Sequence, residues 1–284
     1  MRIPFTKMHG LGNSYIYINL FNVTLKEEEL SDLAKELSNP NTGIGSDGMI
    51  LITPSQSSDV GMRIFNKDGS EGKTCGNGLR CVAKYVFENE MVKTSIFQIE
   101  TKAGNVTAEV HGTTDYVESV TVDMGVPHLE RQSIPMQGPA SDSVISEPFD
   151  VNGDTLQLTA VSMGNPHAVM FVDDINQAPL YELGPVMTKD SRFSEGVNVE
   201  FVEIINKTEM HFRVWERGSG VTQACGTGAC AATVAAILNE YAERDQLITV
   251  HLAGGDLFIK WSSDGHVWMT GAAVTTVEGY YNKD

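Results

Sequence analysis

The chain has 284 residues, of which 41% are hydrophobic and 20% charged, a balance typical of soluble globular proteins rather than disordered or membrane-embedded chains. Its net charge is −17 without an offsetting basic cluster, which argues against nucleic acid as a partner, because that binding needs Lys and Arg to neutralise phosphates. Since no stretch approaches the ~20 apolar residues of a membrane span or resembles a secretory signal, we expect neither a membrane partner nor export, and a cytoplasmic location.

The first half of the chain predicts short strands around two helices. One helix is predicted over residues 26–37, where Thr24 and Glu27 have the spacing of a capping box. A second follows Cys75, because apolar residues over 79–87 recur at the spacing of one helix face. Short β-rich runs between turns predict strands over residues 14–19, 48–52, 62–65, 97–100, 106–110 and 117–123.

The second half predicts the same kind of unit. Residues 132–147 are rich in Pro, Ser and polar side chains and are expected to form a surface excursion. Residues 229–238, after Cys225, are apolar almost all round, which predicts a helix enclosed by sheet. Further strands are predicted over residues 156–162, 199–205, 212–215, 247–251, 257–261 and 267–269.

The two halves are related by an internal repeat at an offset of 150 residues. Residues 63–66 (RIFN) align with residues 213–216 (RVWE), and nine residues beyond each comes a Cys-Gly-x-Gly turn, at Cys75 and at Cys225. Gly48 aligns with Asn198 at the same offset, and Asn13 lies at nearly the same separation from Asn165. Because these matches occur in the same order along both halves, they indicate two related domains that face each other.

The duplicated turns place a cysteine at the start of a helix in each half. Unsatisfied N–H groups and the helix dipole favour negative charge there, which lowers a thiol pKa from about 8.5 towards neutrality. The flanking glycines let backbone amides approach an anion closely. Two such turns can hold one small carboxylate between two thiols. One cysteine can then remove an α-proton while the other delivers a proton to the opposite face, so Cys75 and Cys225 are candidate acid/base residues.

Four cysteines are too few for a disulfide scaffold in a chain of this length. Cys81 and Cys230 continue into the predicted helices and are expected to be buried apolar residues. The spacings C-x5-C and C-x4-C differ from the C-x2-C pairs of zinc ribbons and thioredoxin-like sites, which argues against a metal-binding or thiol-redox module.

Polar residues near the turns are further candidates, each with a simpler alternative. Asn13 and Asn165 lie in glycine-rich segments and can be ordinary turn residues. Glu216 and Arg217 follow a strand and can form a surface pair, although Asn66 in the matching place argues against that. His167 is either a core histidine or a group that tunes a thiol.

Eight motifs along nearly the whole length resemble the diaminopimelate epimerase family, whose enzymes act in lysine and peptidoglycan precursor biosynthesis. The matching segments are residues 8–13 (MHGLGN), 43–48 (GIGSDG), 65–70 (FNKDGS), 75–78 (CGNG), 162–167 (SMGNPH), 197–201 (VNVEF), 215–218 (WERG) and 224–228 (ACGTG).

The resemblance implies a cofactor-independent isomerase that interconverts LL- and meso-diaminopimelate by proton transfer between Cys75 and Cys225, without a metal. It implies that Arg217 binds the distal carboxylate, a role suited to its bidentate guanidinium. His167 and Glu216 are then expected to influence the thiol pKa values. The implied substrate-binding residues are Asn13, Asn66, Gly76, Asn77, Asn165, Asn198, Glu216, Arg217, Gly226 and Thr227.

The resemblance also implies an α/β (α+β) fold of two pseudo-symmetric domains, each a sheet or barrel around a central helix, and a homodimer. We expect residues 1–123 with 271–284 to carry Cys75 and residues 124–270 to carry Cys225, with the active site in the cleft between these domains.

Two motifs depart from the family pattern. Many relatives read Gly-Asn-Asp-Phe where this chain has Gly12-Asn13-Ser14-Tyr15, and some carry Gln where it has Gly48. The second change is expected to remove a polar substrate contact. Another two-cysteine enzyme, a proline or hydroxyproline racemase, remains the nearest alternative, although the Asn-rich set and Arg217 favour a longer substrate with two zwitterionic ends.

Overall fold

The computed structural model describes residues 1–73 and 75–283, which form two compact units. The first unit comprises Met1–Asp123 and Thr270–Asp284, and the second comprises Met124–Met269. Each carries one of the duplicated cysteine turns.

The described residues are rich in strands and contain few α-helices. The helices are α1 (Leu30–Ser38), α2 (Gly76–Glu88), α3 (Leu180–Met187) and α4 (Gly226–Leu238). The strands are β1 (Arg2–Gly10), β2 (Asn13–Asn19), β3 (Gly48–Thr53), β4 (Val60–Asn66), β5 (Glu71–Gly72), β6 (Ile96–Thr101), β7 (Gly104–Gly112), β8 (Val117–Asp123), β9 (Glu147–Val151), β10 (Asp154–Ser162), β11 (Pro166–Phe171), β12 (Asn198–Asn206), β13 (Glu209–Glu216), β14 (Gly220–Val221), β15 (Ile248–Leu252), β16 (Gly255–Trp261), β17 (Val267–Gly271) and β18 (Val274–Asn282).

In the first unit, a mixed sheet surrounds α2. The β1–β2 and β3–β4 pairs are antiparallel, whereas β2–β3 and β4–β6 are parallel. The sheet continues antiparallel through β6, β7 and β8, and β18 pairs with β1. Helix α2 packs against β1, β7 and β8, and ten of its residues, from Gly76 to Val86, are buried. This unit therefore has a central helix, with Cys75 at the N-terminal end of that helix.

The second unit repeats this plan around α4. The β10–β11 and β12–β13 pairs are antiparallel, and β11–β12 and β13–β15 are parallel. Helix α4 packs against β10, β11 and β16, and every residue from Gly228 to Ala236 is buried. Its composition explains this, because a helix that is apolar on all sides is stable only when it is enclosed.

The sequence repeat is also a repeat of register. Helix α2 begins at Gly76 and α4 at Gly226, the offset of 150 residues seen in the sequence. Strand pairing obeys the same offset, since Met49 faces Phe65 in β3–β4 and Val199 faces Trp215 in β12–β13. The strand-rich α/β class with few helices, expected from the sequence, is confirmed.

Two details differ from expectation. The chain segment predicted as one helix over residues 26–37 is a short 3-10 helix, Glu27–Glu29, followed by α1. The residue before it, Lys26, makes no side-chain cap. The predicted capping box does not form, because both Glu27 carboxylate oxygens accept hydrogen bonds from Arg63.

The segment 132–147 is not wholly a surface excursion. Ile134 and Val144 are fully buried in the apolar core of the second unit, where they join Phe149 and Phe201. Apolar residues spaced among polar ones anchor this segment to the core. Separately, no helix among residues 1–73 and 75–283 is long and apolar enough to cross a bilayer.

Candidate active site

Cys75 occupies the N-cap position of α2. Its backbone is extended, with φ −152° and ψ 114°, and its Sγ accepts a hydrogen bond of 3.4 Å from the Gly78 N–H. The first intrahelical bond runs from the Leu79 N–H to the Cys75 carbonyl. The amides of Gly76 and Asn77 thus lie in the helix's first turn, where backbone N–H groups and the helix dipole favour an anion.

Asn13 lies beside the Cys75 thiol and is held by polar neighbours. Its Oδ1 is 3.8 Å from Cys75 Sγ and accepts a 3.2 Å hydrogen bond from Asn77 Nδ2. On its other side, Asn13 Nδ2 donates to Asp47 Oδ2 at 2.9 Å, and the same carboxylate oxygen accepts from the Ser14 N–H at 2.8 Å. The orientation of the Asn13 amide is therefore fixed from both ends.

Arg80 and Tyr15 complete the surroundings of Cys75. Arg80 is fully buried, and its Nη2 donates to Asn77 Oδ1 at 2.9 Å. The Tyr15 side chain neighbours both Asn13 and Cys75. Burial raises the pKa of the Cys75 thiol, while the Gly78 N–H, the Arg80 charge and the Tyr15 hydroxyl all act to lower it.

Gly48 packs directly against the Tyr15 ring. A methyl group at Gly48 would lie 2.9 Å from the Tyr15 ring and 2.2 Å from the Phe65 carbonyl oxygen, and the Gly48 φ is +157°. The two departures from the family pattern are thus in contact, because the Tyr15 ring passes over a position that has no side chain. Asn66 ends β4 opposite Gly48, and its Nδ2 donates to Ser70 Oγ at 3.0 Å.

Cys225 occupies the matching N-cap position of α4. Its Sγ accepts a hydrogen bond of 3.4 Å from the Gly228 N–H and lies 3.6 Å from Thr227 Oγ1. The first intrahelical bond is from Ala229 N–H to the Cys225 carbonyl, so Gly226 and Thr227 place their amides in the first turn. Each unit thus presents the same backbone arrangement around its sulfur.

A chain of hydrogen bonds runs from Thr227 into the core of the second unit. Asn165 Nδ2 donates to Thr227 Oγ1 at 3.3 Å, and Asn165 Oδ1 is 3.1 Å from His167 Nε2. His167 Nδ1 lies 2.6 Å from Glu200 Oε1, and neither side chain of this pair has any exposed surface. Glu200 lies within the 197–201 motif but was not singled out from the sequence, because a lone Glu in a strand is most often a solvated residue.

Asn198, Glu216 and Arg217 are brought together at one end of β12 and β13. Asn198 Oδ1 accepts the Arg217 N–H at 2.8 Å, and Asn198 Nδ2 donates to the Pro166 carbonyl at 3.0 Å. Arg217 Nη1 donates to the Glu195 carbonyl at 2.6 Å. The Thr222 hydroxyl donates to the Glu216 carboxylate.

The Cys225 thiol has acidic neighbours in place of a cation. Its pKa is raised well above the ordinary value, first by burial and then by the Glu216 and Glu200 carboxylates. The Thr227 hydroxyl and the Gly228 N–H oppose this rise. Both cysteines thus receive backbone hydrogen bonds, but carboxylates raise the pKa of Cys225, whereas a cation, Arg80, lowers that of Cys75.

The other two cysteines lie inside the helices, away from these turns. Cys81 and Cys230 have no exposed surface, and burial raises the pKa of Cys81 to about 11. Across the described ranges, 1–73 and 75–283, no group of three or more His, Cys, Asp or Glu side chains is arranged to hold a metal ion.

Comparison with known proteins gives a consistent result. A family model described as diaminopimelate epimerase matches residues 5–130 and 159–276. A protein of Oceanobacillus iheyensis named diaminopimelate epimerase is 60% identical over 286 residues, which cover 100% of both chains.

Solved structures share the fold at lower identity. A phenazine biosynthesis protein of the PhzF family from Bacillus anthracis superposes with a TM-score of 0.72 at 17% identity, covering 100% of both chains. A probable proline racemase from Agrobacterium radiobacter K84 gives 0.70 at 15% identity, covering 99% of this chain and 93% of the other.

Proposed function

The chain belongs to the diaminopimelate epimerase family, and from this premise we propose that it interconverts LL- and meso-diaminopimelate by proton transfer between the Cys75 and Cys225 thiols. The observation that carries the proposal is the matched pair of thiols, each at the first turn of a helix and each hydrogen bonded to a backbone N–H at 3.4 Å. The activity is that of an isomerase, and its product serves lysine and peptidoglycan biosynthesis.

The reaction proceeds in two balanced proton transfers. The sulfur of one cysteine, as thiolate, takes the α-hydrogen as a proton and leaves the electron pair on the α-carbon, where the carboxylate delocalises it. The S–H of the other cysteine then gives its proton to the opposite face of that carbon and becomes a thiolate. Two sulfurs are needed because one base cannot serve both faces.

Stabilising the carbanion is the task of the helix first turns. Backbone N–H groups aimed at a carboxylate stabilise the charge that develops there, more strongly where water is excluded. We assign this role to the amides of Gly76, Asn77, Gly226 and Thr227. The reaction as proposed uses neither pyridoxal phosphate nor a metal, because these backbone N–H groups stabilise the negative charge that the carboxylate takes up.

The remaining polar residues are assigned to binding the rest of the substrate. Arg217, whose backbone is held by Asn198, suits the distal carboxylate. His167 and Glu216 are assigned to tuning the Cys225 thiol, Glu216 through its charge and His167 through its contact with Glu200. The other proposed substrate-binding residues are Asn13, Asn66, Asn165 and Asn198.

Solvent exchange tests the proposed reaction and substrate together. Incubation of the reduced protein with LL-diaminopimelate in D2O, without added cofactor, should introduce deuterium at one α-carbon, detected by mass spectrometry. Proline in parallel tests the alternative racemase. Exchange with proline and none with diaminopimelate would show that the substrate assignment is wrong.

Substitution of each cysteine tests the mechanism. Cys75→Ala and Cys225→Ala should each reduce epimerisation by at least about 10²–10⁴-fold, the contribution typical of a positioned acid or base. Cys81→Ala and Cys230→Ala are matched controls from the same helices and should retain activity. Full epimerisation by Cys75→Ala would rule out the two-base mechanism.

We also propose a homodimer, and β18 supports it. This strand exposes Val274, Val277 and Tyr280, with relative exposures of 42%, 47% and 58%. Light scattering should give twice the chain mass of 30.9 kDa. Val277→Lys should lower that mass, whereas Val221→Lys, at a similarly exposed valine, should not; a monomeric wild type would contradict the proposal.

The proposed cellular location is the cytoplasm. All four cysteines are free thiols, and the mechanism needs Cys75 and Cys225 reduced. Reducing compartments keep such thiols from forming disulfides. Fractionation of cells followed by immunoblotting should place the chain with cytoplasmic proteins rather than with secreted ones.

A further inference from the structure

The turns at Cys75 and Cys225 have the same backbone arrangement, but different side chains pack against them. A methyl group at Gly228 would lie 3.1 Å from Glu200 Oε1 and 3.2 Å from Cys225 Sγ. A methyl group at the equivalent Gly78 would lie 2.6 Å from Ile50 Cδ1 and 3.5 Å from Cys75 Cβ. Glu200 and Ile50 are themselves related by the 150-residue offset. One position of the repeat therefore carries a carboxylate behind one sulfur and an alkyl group behind the other.

Glu200 is fully buried and paired with His167. It has no exposed surface, and its Oε1 lies 2.6 Å from His167 Nδ1. Its second oxygen, Oε2, is buried without a hydrogen-bond partner among the described residues. Such an arrangement is costly for a carboxylate and adds nothing to packing that an apolar residue could not supply, as Ile50 shows.

We propose that Glu200 is a positioning residue that, with His167, keeps Cys225 protonated in the resting protein, so that Cys75 is the sulfur that ionises first. Cys225 then rests as the proton donor and Cys75 as the proton acceptor. This inference rests on the proposed two-thiol reaction and adds the division of roles between the sulfurs.

The charged and titratable groups around each sulfur support this division. Cys225 is faced by Glu200 from β12 and Glu216 from β13, and His167 from β11 lies 2.6 Å from Glu200 Oε1. The two carboxylates raise the pKa of Cys225, because negative charge disfavours a neighbouring thiolate.

Cys75 is faced instead by Arg80 from α2 and by the hydroxyl of Tyr15 from β2. Both stabilise a thiolate, because one is a cation and the other is a hydrogen-bond donor. Asp47 is separated from the sulfur by Asn13, whose Nδ2 donates to Asp47 Oδ2 and whose Oδ1 lies 3.8 Å from Cys75 Sγ. The surroundings of Cys225 therefore disfavour a thiolate, and those of Cys75 favour one.

The test measures each thiol separately without substrate. Reduced protein is treated with substoichiometric iodoacetamide across a pH series, and alkylation of the Cys75 and Cys225 peptides is quantified by mass spectrometry. In the wild type, the alkylation midpoint of Cys225 should lie above that of Cys75. In Glu200→Gln, which removes the charge and keeps the shape, the Cys225 midpoint should fall by on the order of one pH unit, since charges at this range shift pKa values by that much.

Two variants separate charge from shape. Glu200→Asp retains the charge and should keep the Cys225 midpoint near the wild-type value. Glu203→Gln removes a carboxylate from the same strand, where it accepts the Ile175 N–H, and should leave both midpoints unchanged. Thermal melting of each variant shows whether it is folded.

Two results would overturn the inference: an unchanged Cys225 midpoint in Glu200→Gln, or an equal fall at Cys75. Because no substrate is present, either result would leave the substrate assignment untouched. Failure of deuterium exchange with diaminopimelate would in turn count against the proposed function alone.

Discussion

The reactivity of each sulfur depends on the second layer of residues behind it. Both sulfurs accept one backbone N–H at the same distance, so the helix turn alone makes them alike. Their differences come from nearby side chains, Arg80 and Tyr15 beside Cys75 and two carboxylates beside Cys225. Proton affinity in this protein is thus set in part by residues behind the turns, such as Arg80 and Glu200.

Replacing Tyr15 with Phe should make Cys75 harder to ionise. The Tyr15 hydroxyl stabilises the thiolate, so its loss should raise the pKa of Cys75 and shift the alkylation midpoint of Cys75 to higher pH. A positioned hydrogen bond of this kind corresponds to a shift of about one pH unit, and to a rate several-fold lower at neutral pH.

Tyr17→Phe is the matched control. Tyr17 is two residues further along β2, its ring is buried, and its hydroxyl lacks a hydrogen-bond partner within the described chain. This substitution should leave the Cys75 midpoint where it is. Equal shifts in both variants would mean that the effect comes from packing and not from the Tyr15 hydroxyl.

At the residue scale, the sequence predicts those site residues that lie within a recognisable local motif. The turns around Cys75 and Cys225 were visible because glycines and a repeat surround them. Tyr15, Asp47, Arg80 and Glu200 were not, because each reaches the site from a strand or helix position that reads as ordinary core or turn. Tertiary packing, which depends on long-range contacts, brings their side chains to the sulfurs.

The first turns of α2 and α4 depend on glycines that leave room for different neighbours. A methyl group at Gly228 would meet the Phe212 ring at 2.9 Å and Glu200 at 3.1 Å. At Gly78 it would meet the end of the Ile50 side chain at 2.6 Å and that of Met62 at 3.1 Å, and flexible chain ends can move aside. The cost of alanine should therefore differ between the two turns.

Gly228→Ala should destabilise the protein by about 1–3 kcal/mol, the usual cost of overpacking, even though alanine favours helices. Gly78→Ala, the matched variant, should cost less. Urea unfolding followed by circular dichroism measures both free energies of unfolding. Equal costs would show that the aromatic and carboxylate neighbours of Gly228 yield as readily as aliphatic ones.

The helices predicted from apolar spacing are present, whereas the helix start predicted from a capping box at Thr24 and Glu27 is wrong. The helices after Cys75 and Cys225 are present because their apolar residues are buried against the surrounding strands. The capping box at Thr24 and Glu27 is absent, because a salt bridge to Arg63 on β4 takes the Glu27 carboxylate. A side chain with two possible partners cannot be assigned from local sequence alone.

At the scale of the whole molecule, the repeat was the most informative part of the sequence. It predicted two strand-rich units, and the registers of β3–β4 and β12–β13 follow the same offset. Helix α3, which lies 150 residues after α1, was missed, because Pro185 inside it argues against a helix. The buried residues of segment 132–147 were missed because two apolar residues among polar ones give no periodic pattern.

The excess negative charge should make thermal stability depend on salt. At a net charge of −17, repulsion between like charges opposes the compact state, and ions screen it. The melting temperature at neutral pH should therefore rise by roughly a few degrees between low salt and about 0.2 M NaCl.

Lower pH provides the control, because carboxylates lose charge as the pH approaches the sequence pI of 4.7. At about pH 5.5 the same addition of salt should raise the melting temperature less, since less charge remains to be screened. A salt effect of equal size at both pH values would point to ion exclusion from the surface and not to charge repulsion.

The pairing of β1 with β18 has a consequence for biosynthesis. Because β1 spans Arg2–Gly10 and its partner spans Val274–Asn282, the first strand made must wait for a strand made some 270 residues later. The second unit, in contrast, is one continuous stretch, Met124–Met269. On a ribosome, where domains fold as they emerge, the unit synthesised first is therefore the one completed last, and its sheet edge at β1 stays open throughout translation.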